Sequence, residues 1–170
     1  MLADDGADLA SALQTLRELG HDEELAAAVD QAFGGSSVEV VDAGGLFRVR
    51  LRQPGLLRAL DAAELSDGTL RFLLWAAALL TPRRPELFVL NEPETSLHPE
   101  LLAPLAAMIA RAATRTQVVV VTHSAVLRRA FEVAGEGLDR HDVEPAKPLG
   151  ETVIAGQGLL DRPTWHWPVR

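Results

Sequence analysis

The chain contains no cysteine, which excludes both a disulfide framework and a thiolate zinc site. It has no apolar run approaching the roughly 18 residues of a membrane-spanning helix. Its N-terminus carries Asp4, Asp5 and Asp8 rather than the basic residues of a secretory signal. These absences predict a cytoplasmic chain with no membrane partner. Positive charge is also short: the formal net charge is −8, so the composition gives no general attraction to nucleic acid. DNA stays open as a partner of a larger assembly. What is present is ordinary. The 170 residues, 48% hydrophobic and 24% charged, suffice for a single domain with a real core.

One stretch, Leu87 to His98, organises the rest. Leu87, Phe88, Val89 and Leu90 form an apolar run without alternation, the pattern of a parallel strand buried on both faces. The run ends in Asn91 and Glu92, and Pro93 stops the strand. Polar groups at the carboxyl end of such a strand sit where open α/β sheets bind ligands. Downstream, Val118 to Val121 form a second β-branched run, closed by Thr122, His123 and Ser124. Between the two runs, Leu101, Leu102, Leu105, Met108, Ile109 and Ala112 recur at helical spacing over residues 99–113, with Pro99 in the first turn. A strand–helix–strand unit of this kind has a right-handed crossover. It predicts neighbouring parallel strands that bring Asn91, Glu92 and His123 to one edge of the sheet.

Upstream, Ser66 or Asp67 can cap a helix running through Leu70, Phe72, Leu73, Leu74, Trp75 and Ala78 to about Leu80. That helix is apolar nearly all round, which predicts burial. Gly68 in its first turn costs about 1 kcal/mol of helix propensity relative to Ala. It makes sense where backbone or ligand must approach closely. A helix start with a serine and free N–H groups favours anions.

Together these segments resemble the motifs of ABC-type ATPases, in the RecF-like and SMC-like variant of the AAA-type P-loop ATPases. Leu65-Ser66-Asp67-Gly68-Thr69 resembles the signature motif, and Leu87 to Glu94 resembles the Walker B strand with its catalytic glutamate. Thr95 to Pro99 resembles the D-loop, and Val121 to Ser124 the switch-histidine strand. The resemblance covers Ala63 to Ala130 well. It implies an α/β fold, the C-terminal lobe of a P-loop NTPase core with a mostly parallel sheet flanked by helices. It further implies ATP and Mg²⁺ as cofactors and hydrolysis of ATP. Glu92 would be the base or positioner for the attacking water, and His123 would hydrogen-bond the γ-phosphate and sense it. Asn91 would assist Mg²⁺, weakly or through water. Ser66, Asp67 and Gly68 would close over ATP bound to a second subunit, and Ser96 and His98 would line the interface of that ATP-bridged homodimer.

Two departures qualify the match. The family usually has aspartate before the catalytic glutamate, where this chain has Asn91, a neutral and weaker ligand for a hard cation. No G-x-x-x-x-G-K-[ST] occurs either; Gly34-Gly35-Ser36-Ser37 has no lysine. Met1 stands where the family's Walker A half would already have ended. The expected partner is therefore a Walker A-containing half or a full-length homologue, and DNA repair, chromosome maintenance or phage defence would fit the resemblance equally. Alternatives are a catalytically silent half-cassette with a regulatory or structural role, and a truncated or split gene product. A metal hydrolase using His98, His123 and Glu92 is the remaining rival, and it lacks the paired histidines of a zincin helix.

The flanks read more plainly. Residues 1–35 read as a helical hairpin, with Leu9, Leu13 and Leu16 on one face and Leu25, Val29 and Phe33 turned inward from a second helix. Residues 36–55 read as a β-hairpin in which Phe47, Val49 and Leu51 share a face opposite Arg48 and Arg50. Residues 63–130 form the core, all within a single ATPase domain fragment spanning 1–170. Residues 131–170 begin with the end of a short helix from Ala125 to about Val133. They continue as a loop from Gly135 to Gly150, an edge strand at 151–155, and a Trp165-His166-Trp167 tail with no assigned chemistry.

Overall fold

In a computed structural model, residues 8–146 and 153–154 are described. They fall into two units, one up to Leu138 and one from Asp139 onward. In the first, α1 (Leu9–Glu18) buries Leu9, Leu13 and Leu16, and α2 (Asp22–Phe33) buries Leu25 and Val29. Acidic Asp22, Glu23 and Glu24 in the first turn of α2 suit its helix dipole.

The chain then forms β1 (Ser37–Asp42) and β2 (Phe47–Arg52), paired antiparallel with Val38 opposite Leu51 and Val40 opposite Val49. The alternation in β2 puts Val49 and Leu51 in the core, while Phe47 is exposed. A third strand, β3 (Leu60–Asp61), pairs with β2, so the expected hairpin is a three-stranded sheet. Arg50 is tied to Asp61 at 2.7 Å and Arg52 to Glu39 at 2.8 Å, so these arginines face their own sheet's carboxylates.

A 3-10 turn at Ala62–Glu64 leads into α3 (Asp67–Leu79), with Phe72, Leu73, Ala76, Ala77 and Leu79 buried. Phe72 meets the edge of Phe33 with ring centroids 5.3 Å apart. After α3 come β4 (Leu87–Asn91), a 3-10 turn at Pro99–Leu101, α4 (Leu102–Ala113), β5 (Gln117–Val121) and α5 (Ala125–Ala134). Proline opens the 3-10 turn, where its missing N–H is harmless. α4 packs on α2, α3, α5 and β5, and buries Leu105 completely. Arg111 of α4 reaches Glu24 of α2 at 2.5 Å. The His21 ring bonded to Glu24, with Arg111 beside it, holds that carboxyl below its usual range.

β4 and β5 pair in parallel, with Leu87 opposite Gln117 and Asn91 opposite Val121. Their burial corrects the expectation that both faces are covered. Phe88, Leu90, Val118 and Val120 turn to the core, whereas Leu87, Val89, Val119 and Val121 share an exposed face with Asn91. An apolar run without alternation therefore does alternate in its burial. In the second unit, β6 (Pro145–Ala146) pairs antiparallel with β7 (Val153–Ile154), so the segment expected as a loop contains a short strand. The expected edge strand at 151–155 is described only at 153–154, and the Trp165-His166-Trp167 tail lies outside the described residues. Among the described residues no helix is long and apolar enough to cross a membrane.

The two faces of β4 can be separated by mutation. Leu90 is 3% exposed and Val89 is 62% exposed. Leu90→Ala should cost the chain about 2–5 kcal/mol in a urea titration. Val89→Thr should cost less than about 0.5 kcal/mol. Equal costs would mean that both faces are packed.

Candidate functional site

Parallel pairing ends β4 and β5 at the same level. Asn91 closes β4, and the Glu92 N–H donates to the Val121 carbonyl at 2.8 Å, continuing the ladder by one bond. From there the chain turns sharply. Glu92 has φ +46° and Ser96 has φ +66°, the only non-glycine residues in the left-handed region among those described. Such a conformation costs a side-chain-bearing residue about 1–2 kcal/mol. It persists where surrounding bonds impose it, and it clusters at functional sites.

Those bonds can be named. Within the loop, Thr95 N–H donates to the Glu92 carbonyl at 3.0 Å and Leu97 N–H to the Glu94 carbonyl at 3.0 Å. From α3, the Trp75 indole N–H donates to the Pro93 carbonyl at 3.0 Å. From the β5 loop, the Thr122 hydroxyl donates to Glu94 Oε1, and the Ser124 N–H reaches the same oxygen at 3.2 Å. Glu94 Oε2 is buried and has no hydrogen-bond partner among the described residues. Leaving a buried acceptor unsatisfied costs about 1–3 kcal/mol.

Glu92 and His123 meet at this strand end, with Glu92 Oε1 3.6 Å from His123 Nε2. Both are accessible, at 48% and 86% exposure of their side chains. Asn91 is also exposed, on the uncovered sheet face. All three expected strand-end residues are thus brought together. As a Mg²⁺ site the strand end is partial: Asn91 offers one neutral oxygen donor. That suits an ion which keeps several waters and takes its other ligands from phosphate. Among the described residues no group of three or more His, Cys, Asp or Glu could hold a metal. His98, needed by a metal-hydrolase reading, instead lies 3.6 Å from Glu100 and caps the 3-10 turn, its Nδ1 accepting from the Glu100 N–H at 3.4 Å.

Of the other expected group, Ser66, Asp67 and Gly68 lie at the start of α3, and Ser96 and His98 lie in the loop after β4. Ser66 is the cap: its Oγ accepts from the Thr69 N–H at 3.1 Å. Ser66, Asp67, Ser96 and His98 are all exposed. Gly68 joins the signature-like segment to the D-loop-like segment, since a Cβ there would lie 2.8 Å from the Ser96 carbonyl oxygen. Close backbone approach, one of the two reasons the sequence offered for this glycine, is therefore present. Just upstream, Arg58 forks onto both oxygens of Glu64 at 2.7 Å, and the Asp61 N–H donates to Glu64 at 3.0 Å. The Arg58 hydrogen bonds, followed by the Asp61 N–H, hold the Glu64 carboxyl down at about 2. Asp61 and Glu64 form a capping box that fixes the approach to Ser66.

Sequence reasoning missed Glu94 and Trp75. Glu94 stood inside the Walker B-like motif without a role, and its partners lie 28 and 30 residues away. Trp75 read as one more apolar residue of α3, and nothing local signals the reach of its indole to Pro93.

The sequence profile of the family described as "AAA domain, putative AbiEii toxin, Type IV TA system" matches residues 3–129. No curated protein matches the chain. Among solved structures it is similar to an SMC ATPase studied for ATP-driven dimerization and DNA stimulated activation. There the identity is 12% and the TM-score 0.61, over 88% of this chain and 91% of that one. It is also similar to the SMC head domain from Thermotoga maritima, at 17% identity and a TM-score of 0.54, over 85% of this chain and 51% of that one. For the Smc head domain with a coiled coil and joint from Pyrococcus yayanosii, the identity is 12% and the TM-score 0.58, over 86% of this chain and 28% of that one. The chain thus spans nearly all of the first structure and about half or less of the other two. At these identities the likeness is one of fold.

Gly68 provides a direct check on the junction between the two exposed segments. On propensity alone, Gly68→Ala would stabilise α3 by about 1 kcal/mol. With the Ser96 carbonyl in the way, it should instead destabilise the chain by about 1–3 kcal/mol in a urea titration. A stabilised variant would show that the D-loop-like segment yields freely.

Proposed function

This chain belongs to that AAA-domain family, and we propose that it is the signature-bearing lobe of an ABC-type ATPase. It binds and hydrolyses ATP together with a phosphate-binding loop supplied from outside these 170 residues. The observation that carries the reading is the convergence of Asn91, Glu92 and His123 at the carboxyl ends of two adjacent parallel strands, with Glu92 held at φ +46° and 3.6 Å from His123. An exposed carboxylate at that point suits a group that orients an attacking water. His123 beside it suits a hydrogen bond to a phosphate oxygen. When bound, Mg²⁺ would neutralise phosphate charge, with Asn91 orienting its waters.

Two further features support a composite enzyme. All-parallel sheets are covered by helices on both faces. Here one face of β4–β5 is apolar and exposed, which fits a sheet completed by further strands and helices bearing the phosphate loop. The exposed Ser66 and Asp67, with Gly68 close to the Ser96 carbonyl and His98 exposed two residues further on, suit closure over ATP held by a second subunit. ATP-driven dimerization and DNA stimulation are named for a similar SMC ATPase, and both enter here as parts of the proposal.

Asn91 favours a second reading, a catalytically silent lobe that contributes only its signature face, because a neutral amide is a poorer Mg²⁺ ligand than aspartate. Two variants separate the readings in a protein assembled with a phosphate-loop-bearing segment. Glu92→Gln should keep ATP binding, lower turnover by at least about 100-fold and trap an ATP-bound dimer, since only the charge orienting the water is removed. Ser66→Arg should reduce dimerisation and turnover together. Turnover that survives Glu92→Gln but not Ser66→Arg would establish the silent lobe. If neither change has any effect, the ATPase reading is wrong.

A further inference from the structure

We infer that Glu94 is a positioning residue, which sets the geometry of the Glu92–His123 pair by gripping the β5 loop on both sides of His123. The inference rests on the ATPase reading and names the group that aligns its site. Glu92 and His123 come from different loops, and among the described residues the only polar contact of either side chain is their mutual approach at 3.6 Å. Neither side chain is packed in place, since both are exposed. Their separation therefore depends on how the two loops are joined.

The Glu92 N–H to Val121 bond joins them by backbone. One side chain joins them beyond it. Glu94, two residues after Glu92, receives the Thr122 hydroxyl and the Ser124 N–H on a single oxygen, and these are the residues immediately before and after His123. Ser124 N–H also reaches Thr122 Oγ1 at 3.0 Å, closing a three-membered polar cluster. The Ser124 hydroxyl accepts from the Leu127 N–H at 3.1 Å, so the cluster is tied to the start of α5 as well. Charged acceptors make the stronger hydrogen bonds. The Trp75 bond to Pro93 fixes the β4 loop to α3 next to Glu94, and beyond Glu94 the Ser96 carbonyl lies so close to Gly68 that no Cβ would fit there. A shift in Glu94 thus moves His123 relative to Glu92, not both together.

The test has two arms. In the chain alone, hydrogen exchange at the Ser124 amide is followed for Glu94→Ala, Thr122→Val and Thr122→Ser. Exchange should quicken by at least about 10-fold in the first two and stay near the parent rate in the third, with amides inside β5 unchanged. In the assembled ATPase, Glu94→Ala and Thr122→Val should each lower kcat by about 10- to 100-fold while the KM for ATP stays within about twofold, because a small misplacement of reacting groups costs rate rather than binding. Thr122→Ser, which keeps the hydroxyl, should retain most of the activity; a purely packing role for Thr122 would reverse the order, with valine, which keeps the shape, tolerated and serine impaired. Unchanged Ser124 exchange in both disruptive variants, unchanged kcat, or a KM that rises in step with the loss would overturn the inference. Glu92→Gln serves as the reference. If the parent assembly shows no turnover sensitive to it, the ATPase reading fails, and a hydrolytic role for Glu94 fails with it. The exchange arm still reports whether the grip exists.

Discussion

Parallel pairing of β4 with β5 is the constraint on which the rest depends. Because the pairing is in register from Leu87 opposite Gln117 to Asn91 opposite Val121, both strands end together and deliver their following loops to one place. The same register sorts the side chains. Phe88, Leu90, Val118 and Val120 go to the core, where β5 packs on α4, and the intervening residues form the uncovered face. A slip of one residue would exchange these sets, exposing Leu90 and moving Glu92 away from His123. Burial on one face therefore fixes the chemistry at the strand ends.

The loop that follows β4 carries the consequences. Its two left-handed residues, Glu92 and Ser96, mark the two ends of the candidate machinery, one beside His123 and the other against Gly68. Trp75 and Glu94 hold the middle of the loop to α3 and to the β5 loop. The exposed signature-like surface and the strand-end carboxylate are thus parts of one braced segment. The close approach of Gly68 to Ser96, and the Trp75 bond to Pro93 further along α3, link that helix to the loop that carries Glu92. In an enzyme whose signature face closes over nucleotide held elsewhere, such bracing would let closure and alignment occur together.

Much of this was legible in the sequence, for physical reasons. The apolar runs at Leu87–Leu90 and Val118–Val121, separated by a helical repeat through Leu105 and Met108, specify a strand–helix–strand unit with little ambiguity. The polar residues ending each run then fall together by geometry. Other features were hidden. An unbroken apolar run looks the same whether its second face is covered by this chain or left open, so the exposure of Val89 and Val119 could not be read. β3 is too short to leave a pattern, and it surfaced only through its pairing with β2. Glu94 and Trp75 act through partners 18 to 30 residues away, a distance at which sequence carries no local signal. Gly68 was visible as an anomaly, and the structure supplies the carbonyl that explains it.

The central claim is that these residues form the closing and hydrolytic side of a nucleotide site whose phosphate cradle lies elsewhere. No G-x-x-x-x-G-K-[ST] occurs in the chain, and the uncovered face of β4–β5 supports completion by additional structure. Calorimetric titration of ATP with Mg²⁺ tests this most directly, first into the 170-residue chain and then into the same chain assembled with a phosphate-loop-bearing segment. The account predicts no saturable binding to the chain alone and stoichiometric binding to the assembly. Saturable micromolar binding by the chain alone would contradict it.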